Sequence, residues 1–386
     1  MKKVFFATRA RGFLNHVFKC NEIEFNFIID NKNIYELNNQ KRKILSWIGR
    51  SPVFDWLGII QRINAKNKLG IINGSFNRFL KSDKPYFIYL ENPTALYHYK
   101  LNRKKSLLGK SNINRYLNDT NLKAIICMSE ACCDTFEQVC GNFEGQKKVI
   151  YPYVPSNGYV NELQISQRAA SSDINLLFIS QGIRFLSKGG LEVIDAFKLL
   201  CLERDNINLT IVTSIKDVDE KLIDEIREIP KVRLLDFQLS YEEMEDLYSK
   251  SSILLQPTSD ESFGLTILEG MKAGLPVIAT RLYAIPEMVK DGENGFLTNP
   301  HWWFFDKNNI PNSKVWNHRE QTLYSGKKND ELIQFLYQKI SFLDDHRDIL
   351  NRMSLKSYEI ANSSPFSKES IIQSWNSTLK SIENSQ

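Results

Sequence analysis

Two glutamates eight residues apart, Glu261 and Glu269, have the side chains and the spacing to hold hydroxyl groups. Glu261 stands just ahead of a run with helical spacing, Leu265, Leu268 and Met271, and Glu269 lies inside that run. A carboxylate in front of a helix accepts from sugar hydroxyls. The amides of Phe263, Gly264 and Leu265, left over at the helix start, suit a phosphate in the field of the helix dipole. Gly264 lets the backbone come close to a ligand. Glu269, more than a turn further on, reaches a second diol such as a ribose. Spacing alone reads more plainly as an acidic N-cap followed by a solvated helix glutamate.

The surrounding elements decide what the pair faces. Ile253–Leu255 reads as a buried strand bounded by Pro257. The chain then turns through Asp260, Ser262 and Gly264, runs as a helix that stops at Gly274, and re-enters the sheet as Leu275–Thr280. Upstream, strand Ile174–Ser180 leads into a loop from Gly182 to Gly190 and then a helix with Leu191, Ile194, Phe197 and Leu200 on its apolar face. A glycine-bearing loop between strand and helix makes an anion-binding corner, and Arg184 and Lys188 in it carry the charge to neutralise a pyrophosphate. A solvated loop with incidental charges gives the same pattern. Strands Leu209–Thr213 and Val232–Asp236 alternate with helices Asp219–Ile229 and Tyr241–Lys250, which predicts a doubly wound parallel sheet.

The first part of the chain follows the same alternation with different chemistry. Val4–Ala7 is the first predicted strand and is followed by Arg9 and Arg11, which suit an anionic acceptor or are plain surface arginines. Tyr86–Leu90 is an apolar strand running into Glu91, with His98 nearby. A polar residue at the carboxyl end of such a strand is well placed for a ligand, so Glu91 is a candidate acceptor contact or base, although a lone histidine is commonly structural. Ala124–Met128 is another strand, with Ser129-Glu130 opening a helix. Lys41–Ile63 and Arg103–Leu108 mix lysine and arginine with large apolar residues. That mixture suits an anionic membrane surface and also an amphipathic core helix. Near the end, His301–Gly326 is irregular but rich in Trp and Phe, which predicts a packed segment rather than disorder. Helices over Glu331–Leu343, His346–Ala361 and Lys368–Ile382 close the chain, the last with Ile371, Ile372, Trp375 and Leu379 on one face.

With 386 residues, 42% apolar and 25% charged, the chain has room for two ordinary domains and is globular in composition. No apolar run is long enough to span a bilayer. The N-terminal stretch MKKVFFATRARGF reads as a strand rather than a secretory signal, because Arg9 and Arg11 cut its apolar part short. Six cysteines without CxxC or metal-ligand spacing predict free thiols in a cytoplasmic protein, with a peripheral place on the inner face of a membrane open to it. Residues 1–150 hold 25 Lys and Arg against 12 Asp and Glu, so a net charge of +5 hides a basic first half and an acidic remainder. A basic half calls for an acidic partner or is simply a solvated surface. No nucleic-acid-binding motif accompanies it.

The stretch E-S-F-G-L-T-I-L-E-G-M-K-A-G-L-P-V-I-A-T, with Pro286-Glu287 and Asp291 to Leu297 after it, resembles retaining glycosyltransferases of family 4. The resemblance implies the GT-B fold, with two Rossmann-like domains facing across a cleft and a C-terminal helix returning to the N-terminal domain. It places an acceptor-side domain over residues 1–153 plus 366–386, a nucleotide-sugar domain over 154–365, and an interdomain linker at Val149–Pro155. Glu261 would bind the donor sugar and Glu269 the ribose, with Gly182, Ser262, Phe263, Gly264 and Leu265 along the donor. Lys188 and Arg184 would lie on its diphosphate, and Phe237 and Gln238 near the base. Lys188 matches through K-G-G, whereas Ile183, not Arg184, follows the loop glycine. After the first strand relatives carry a glycine-rich loop, but this chain has Thr8-Arg9-Ala10-Arg11-Gly12-Phe13. The implied reaction moves a hexose-like sugar from a UDP- or GDP-linked donor to a glycan or lipid-linked hydroxyl in bacterial surface polysaccharide assembly. Configuration is retained, and no metal or other cofactor is called for, since cationic side chains and a helix end take the charge. A sugar phosphorylase or synthase of the same fold and a non-catalytic nucleotide-sugar-binding partner protein are the competing readings.

Overall fold

The computed structural model describes residues 2–30, 52–66 and 68–385, so the basic residues 41–51 lie outside what can be placed. The chain divides into two compact units. Unit 1 comprises Met1–Tyr153, Asn309–Pro311 and Pro365–Gln386, and unit 2 comprises Val154–Asn308 and Asn312–Ser364.

Unit 1 is built on strands β1 (Lys2–Phe6), β2 (Phe25–Ile29), β3 (Ile63–Asn64), β4 (Ile72–Phe76), β5 (Leu80–Lys81), β6 (Tyr86–Leu90), β7 (Leu122–Cys127) and β8 (Gln146–Val149). Six of them form a parallel sheet in the order β2-β1-β4-β6-β7-β8, while β3 and β5 pair apart from it. The chain leaves β1 for β2 on one side and comes back to β4 on the other. The carboxyl ends of β1 and β4 therefore border a topological switch point, the usual place for a ligand in an open α/β sheet. Strand β6 is buried on both faces, as parallel strands flanked by helices must be.

The terminal helix Lys368–Asn384 belongs to unit 1, as the resemblance implied. It inserts Trp375 among aromatics of the sheet and the first helix, stacked on Tyr89 (centroids 5.7 Å apart) and edge-on to Phe18 and Phe87 (5.6 and 5.7 Å). A buried aromatic of this size is worth about 3–5 kcal/mol against alanine. That burial explains why a chain end beginning after Pro365 forms a helix of 17 residues instead of fraying.

Unit 2 continues with β9 (Ile174–Ile179), β10 (Ile207–Thr213), β11 (Val232–Asp236), β12 (Ile253–Gln256), β13 (Val277–Thr280) and β14 (Gly295–Thr298). Their order, β11-β10-β9-β12-β13-β14 and all parallel, is the Rossmann order with its switch point between β9 and β12. Helices Gly190–Leu200 and Asp330–Asp345 cover the core around Phe178, Phe185 and Phe197. Sequence-predicted strands and helices fall within two residues of these bounds. Strand β13 starts late because Pro276 has no amide to give the ladder.

The aromatic segment after β14 has a small core of its own. Phe304 stacks on Trp316 (4.0 Å), Phe305 on Tyr283 (4.0 Å), and the Arg319 guanidinium lies over both Phe304 and Trp316 (4.8 and 5.1 Å).

Candidate functional site

Both loops at the unit 2 switch point are pinned by glycines that nothing larger could replace. Gly189 sits at φ +80°, and a Cβ there would lie 2.5 Å from the Pro257 carbonyl oxygen. The loop after β9 is thereby pressed onto the end of β12, and the Ser259 amide donates to Ser187 O at 2.8 Å to join them. Gly264, at φ +101°, turns the chain into helix Leu265–Lys272. Across this junction the buried Lys188 ammonium donates to Asp260 O at 2.8 Å and to Glu261 Oε2 at 2.6 Å. The two residues assigned from different motifs form one ion pair.

Glu261 does more than pair with the lysine. Its Oε1 accepts from the amides of Ser262 (3.0 Å) and Phe263 (3.3 Å). Phe263 N–H is therefore not open to a phosphate, as the sequence reading supposed, but turned onto the glutamate beside it; Gly264 and Leu265 remain at the helix start. Burial pushes the Glu261 carboxyl up, but Lys188, the field of Arg184 and the Phe263 amide outweigh it and hold the group below the ordinary carboxylate range. Arg184 is exposed and close enough to act on that carboxyl. Gly182 has a packing reason for its missing side chain, since a Cβ would meet Ser214 O at 2.3 Å. It nonetheless lines a cavity of about 440 Å³ with Ile183, Phe185, Glu320 and Tyr324.

Glu269 opens on a separate cavity of about 480 Å³, bordered by Phe237, Tyr241, Tyr248, Leu265 and Lys272 but not by Glu261 or Gln238. The fully buried Tyr248 hydroxyl donates to Glu269 Oε2 at 2.8 Å. Burial raises the Glu269 carboxyl above its ordinary range, and the tyrosine offsets part of that rise. Shape and edge chemistry suit a nucleoside: a half-exposed aromatic pair, Phe237 and Tyr241, beside a carboxylate held for two hydroxyls. Sequence reasoning passed over Tyr248, although its place on the helix before β12 was read correctly.

The aromatic segment contributes at the same corner. Trp302 N–H donates to Ser259 Oγ at 3.0 Å, and Leu323 packs near Gly189 and Pro257. The Tyr324 hydroxyl is pushed up by burial and by Asp260, and is drawn down by Arg184, Arg319 and Ser187. Asp260 is itself buried, and its Oδ2 has no hydrogen-bond partner.

At the unit 1 switch point the structure brings Glu91 together with residues the sequence did not single out. The Tyr99 hydroxyl donates to Glu91 Oε1 at 2.5 Å, Asn77 Nδ2 donates to that hydroxyl at 3.1 Å, and the Glu91 amide donates to Asn77 Oδ1 at 3.0 Å. Asn77, His98 and Tyr99 all sit in the left-handed region (φ 59°, 60° and 59°), which is costly for a non-glycine residue and concentrates at functional sites. Phe76 N–H donates to Thr8 Oγ1 at 2.9 Å, tying the end of β4 to the segment after β1. The exposed Arg11 lies over the Phe76 ring at 5.4 Å and acts on Tyr99; Arg9 is exposed. His98 proves structural. Its Nε2 accepts the Gln61 amide at 3.0 Å, and burial with the nearby Arg78 and Arg103 pushes its pKa down to about 3, so it stays neutral.

Among the described residues no group of three or more His, Cys, Asp or Glu is placed to hold a metal ion, and all six cysteines are free thiols. Among the same residues no helix is long and apolar enough to cross a membrane.

Residues 161–303 match the glycosyl transferases group 1 family. A sucrose synthase of Thermosynechococcus vestitus is 40% identical over 74 residues, 18% of this chain and 9% of that protein. An uncharacterised 41.2 kDa protein in the cps region of Klebsiella pneumoniae is 24% identical over 323 residues, 77% of this chain and 83% of its own. The crystal structure of Anabaena HepE in complex with UDP-glucose is similar with a TM-score of 0.59 at 17% identity, covering 99% of this chain and 100% of that one. The pneumococcal O-GlcNAc transferase GtfA, in complex with UDP and GlcNAc, gives a TM-score of 0.53 at 17% identity over 80% of this chain and 57% of its own. At these identities the structural likeness is one of fold.

Proposed function

We propose, for a chain whose residues 161–303 belong to the glycosyl transferases group 1 family and whose fold is GT-B, that it is a retaining family 4 enzyme. It moves a sugar from a nucleotide donor to a hydroxyl of a glycan or lipid-linked acceptor. The observation that carries this reading is the Lys188 ammonium, held between Asp260 O and Glu261 at the unit 2 switch point. A departing nucleoside diphosphate gains negative charge, and a fixed cation beside a helix N-terminus stabilises it without reorganisation. Glu261 takes the donor sugar's hydroxyls and keeps Lys188 aimed. Arg184 adds charge at the rim. Tyr248 presents Glu269 to the ribose, with the base against Phe237 and Tyr241. These cations and the helix end carry the charge, so the reaction needs no metal.

In the proposed step the bond between the anomeric carbon and the diphosphate oxygen breaks. The acceptor oxygen bonds to that carbon on the same face, and its proton passes to the leaving phosphate. Glu91, braced by Tyr99 and Asn77, orients the acceptor hydroxyl from unit 1. That HepE was crystallised with UDP-glucose supports reading the donor here as a UDP-sugar. The Klebsiella relative from a cps region supports a role in bacterial surface polysaccharide synthesis. A cytoplasmic enzyme working at the inner face of a membrane fits that role.

A thermal-shift screen of UDP- and GDP-sugars tests the reading, since a ligand at about 100 times its Kd stabilises by about 2.7 kcal/mol. The expected result is stabilisation by a UDP-sugar together with slow donor hydrolysis that Glu261→Ala abolishes. Stabilisation without hydrolysis would make the chain a nucleotide-sugar-binding partner protein instead. Turnover that requires inorganic phosphate would make it a phosphorylase.

A further inference from the structure

Unit 1 carries an apolar face that the proposed reaction does not use. Val53 and Trp56 of helix Pro52–Trp56 are 57% and 71% exposed, and Leu107 and Leu108, opening helix Leu107–Leu117, are 85% and 51% exposed. Soluble surfaces scatter such residues singly and do not group four of them without a use.

The two helices form one surface. The buried Arg103 guanidinium, from helix Leu101–Lys105, donates to Asp55 Oδ1 at 2.9 Å, and Asn112 Nδ2 donates to Gly58 O at 2.9 Å. Gly58 has φ +56°, and a Cβ there would lie 2.1 Å from the Gly109 nitrogen, so the backbones touch directly behind Leu108.

Asp55, the acidic residue of helix Pro52–Trp56, is spent on Arg103, and the segment opposite it is of one sign. Residues 100–118 contain Lys100, Arg103, Lys104, Lys105, Lys110 and Arg115 and no Asp or Glu. Arg103 is committed to Asp55 and Lys104 to Gln138 O, but Lys105, Lys110 and Arg115 are exposed. Leucine and tryptophan at the tip with lysine beside them match an anionic bilayer, where apolar side chains enter the headgroup boundary and ammonium groups meet lipid phosphates. A second copy of the chain would bring the same positive charges face to face, which argues against self-association here.

We propose that Val53, Trp56, Leu107 and Leu108, flanked by Lys105 and Lys110, form a docking face for an anionic membrane surface. The proposal rests on the reading of the chain as a transferase for lipid-linked or membrane-borne acceptors only for its purpose, because docking is measured without any sugar.

The test is flotation of the full chain with phosphatidylcholine vesicles, with and without about 30% phosphatidylglycerol. The chain is expected to float with the anionic vesicles, to stay behind with the neutral ones, and to release as salt rises. The combined variant Trp56→Ser, Leu107→Ser, Leu108→Ser should lose at least about 10-fold in partitioning, while vesicle-free UDP-glucose hydrolysis is unchanged. Lys105→Glu with Lys110→Glu should remove the preference for anionic lipid.

No flotation, equal flotation with both vesicles, or full flotation of the triple variant would overturn the proposal. So would a dimer in light scattering that the triple variant dissolves, which would make the face a protein interface. A wild-type chain that floats but never hydrolyses a nucleotide sugar would contradict the proposed function and leave the docking face standing.

Discussion

Each unit carries a glutamate in the segment that follows a central parallel strand, Glu91 directly after β6 and Glu261 in the turn after β12, and the two are held by different means. Glu261 in unit 2 is gripped by a buried ammonium and two backbone amides. Glu91 in unit 1 is held by a tyrosine hydroxyl that an asparagine orients in turn. The backbone differs in the same sense. The corner at Glu261 turns on Gly189 and Gly264, whereas the corner at Glu91 holds Asn77, His98 and Tyr99 in the same left-handed region. A corner that must meet a diphosphate needs cations and amides brought close, and glycine allows that approach. A corner that meets a neutral hydroxyl needs a fixed acceptor, for which strained polar residues braced by packing suffice.

Breaking the charged corner should have the largest effect. Glu261→Ala is expected to lower donor turnover by about 10³-fold, because it removes the sugar contact and leaves Lys188 held by Asp260 O alone. Steady-state UDP release measures it.

The corner in unit 1 should respond differently. Glu91→Gln is expected to lower transfer to acceptor by about 10²-fold while leaving donor hydrolysis by water nearly intact. Equal losses in the two rates would show that Glu91 serves the donor instead.

Tyr248→Phe sharpens the comparison within unit 2. Losing a hydrogen bond to a carboxylate, worth about 1.5–3 kcal/mol, should weaken UDP binding by about 10- to 100-fold in calorimetry and leave kcat little changed.

The two carboxylates eight residues apart should also respond to pH with opposite signs. Glu261 is depressed on folding, so its contribution to stability is present above the ordinary glutamate range and is lost as pH falls through its folded value. Glu269 is raised, so it costs stability as pH rises from about 4.3 through its folded value. Unfolding midpoints across this window should therefore fall less with rising pH in Glu269→Gln than in wild type.

The smallest effect belongs to the residue that turned out structural. Removing the acceptor of the solvent-exposed Gln61 amide in His98→Ala should cost about 0.5–1.5 kcal/mol in denaturant unfolding, with donor hydrolysis unchanged.

The contrast between the two corners also explains what could be read beforehand. Unit 2 was legible because glycine, lysine and the paired glutamates fall at short, fixed spacings on either side of predictable strands. The direct meeting of Lys188 with Glu261 across 73 residues was not among those expectations, since spacing says nothing of how two separate loops touch. That the Phe263 amide turns onto Glu261 was not legible, because it depends on a rotamer rather than on spacing. In unit 1 Arg9, Arg11, Glu91 and His98 were singled out, Glu91 by standing at a strand end. Tyr99 and Asn77 looked like ordinary loop residues, since nothing in a sequence marks a non-glycine residue held at positive φ. His98 drew attention for its chemistry alone, and its burial beside two arginines took that chemistry away.

The central claim is that Lys188, locked onto Glu261, receives the charge of a departing nucleoside diphosphate. The most direct measurement is UDP-glucose turnover by Lys188→Ala beside its UDP affinity by calorimetry. The account predicts that turnover falls by about 10²–10³-fold and that UDP binds more weakly as well. Hydrolysis at the wild-type rate with unchanged UDP affinity would contradict it.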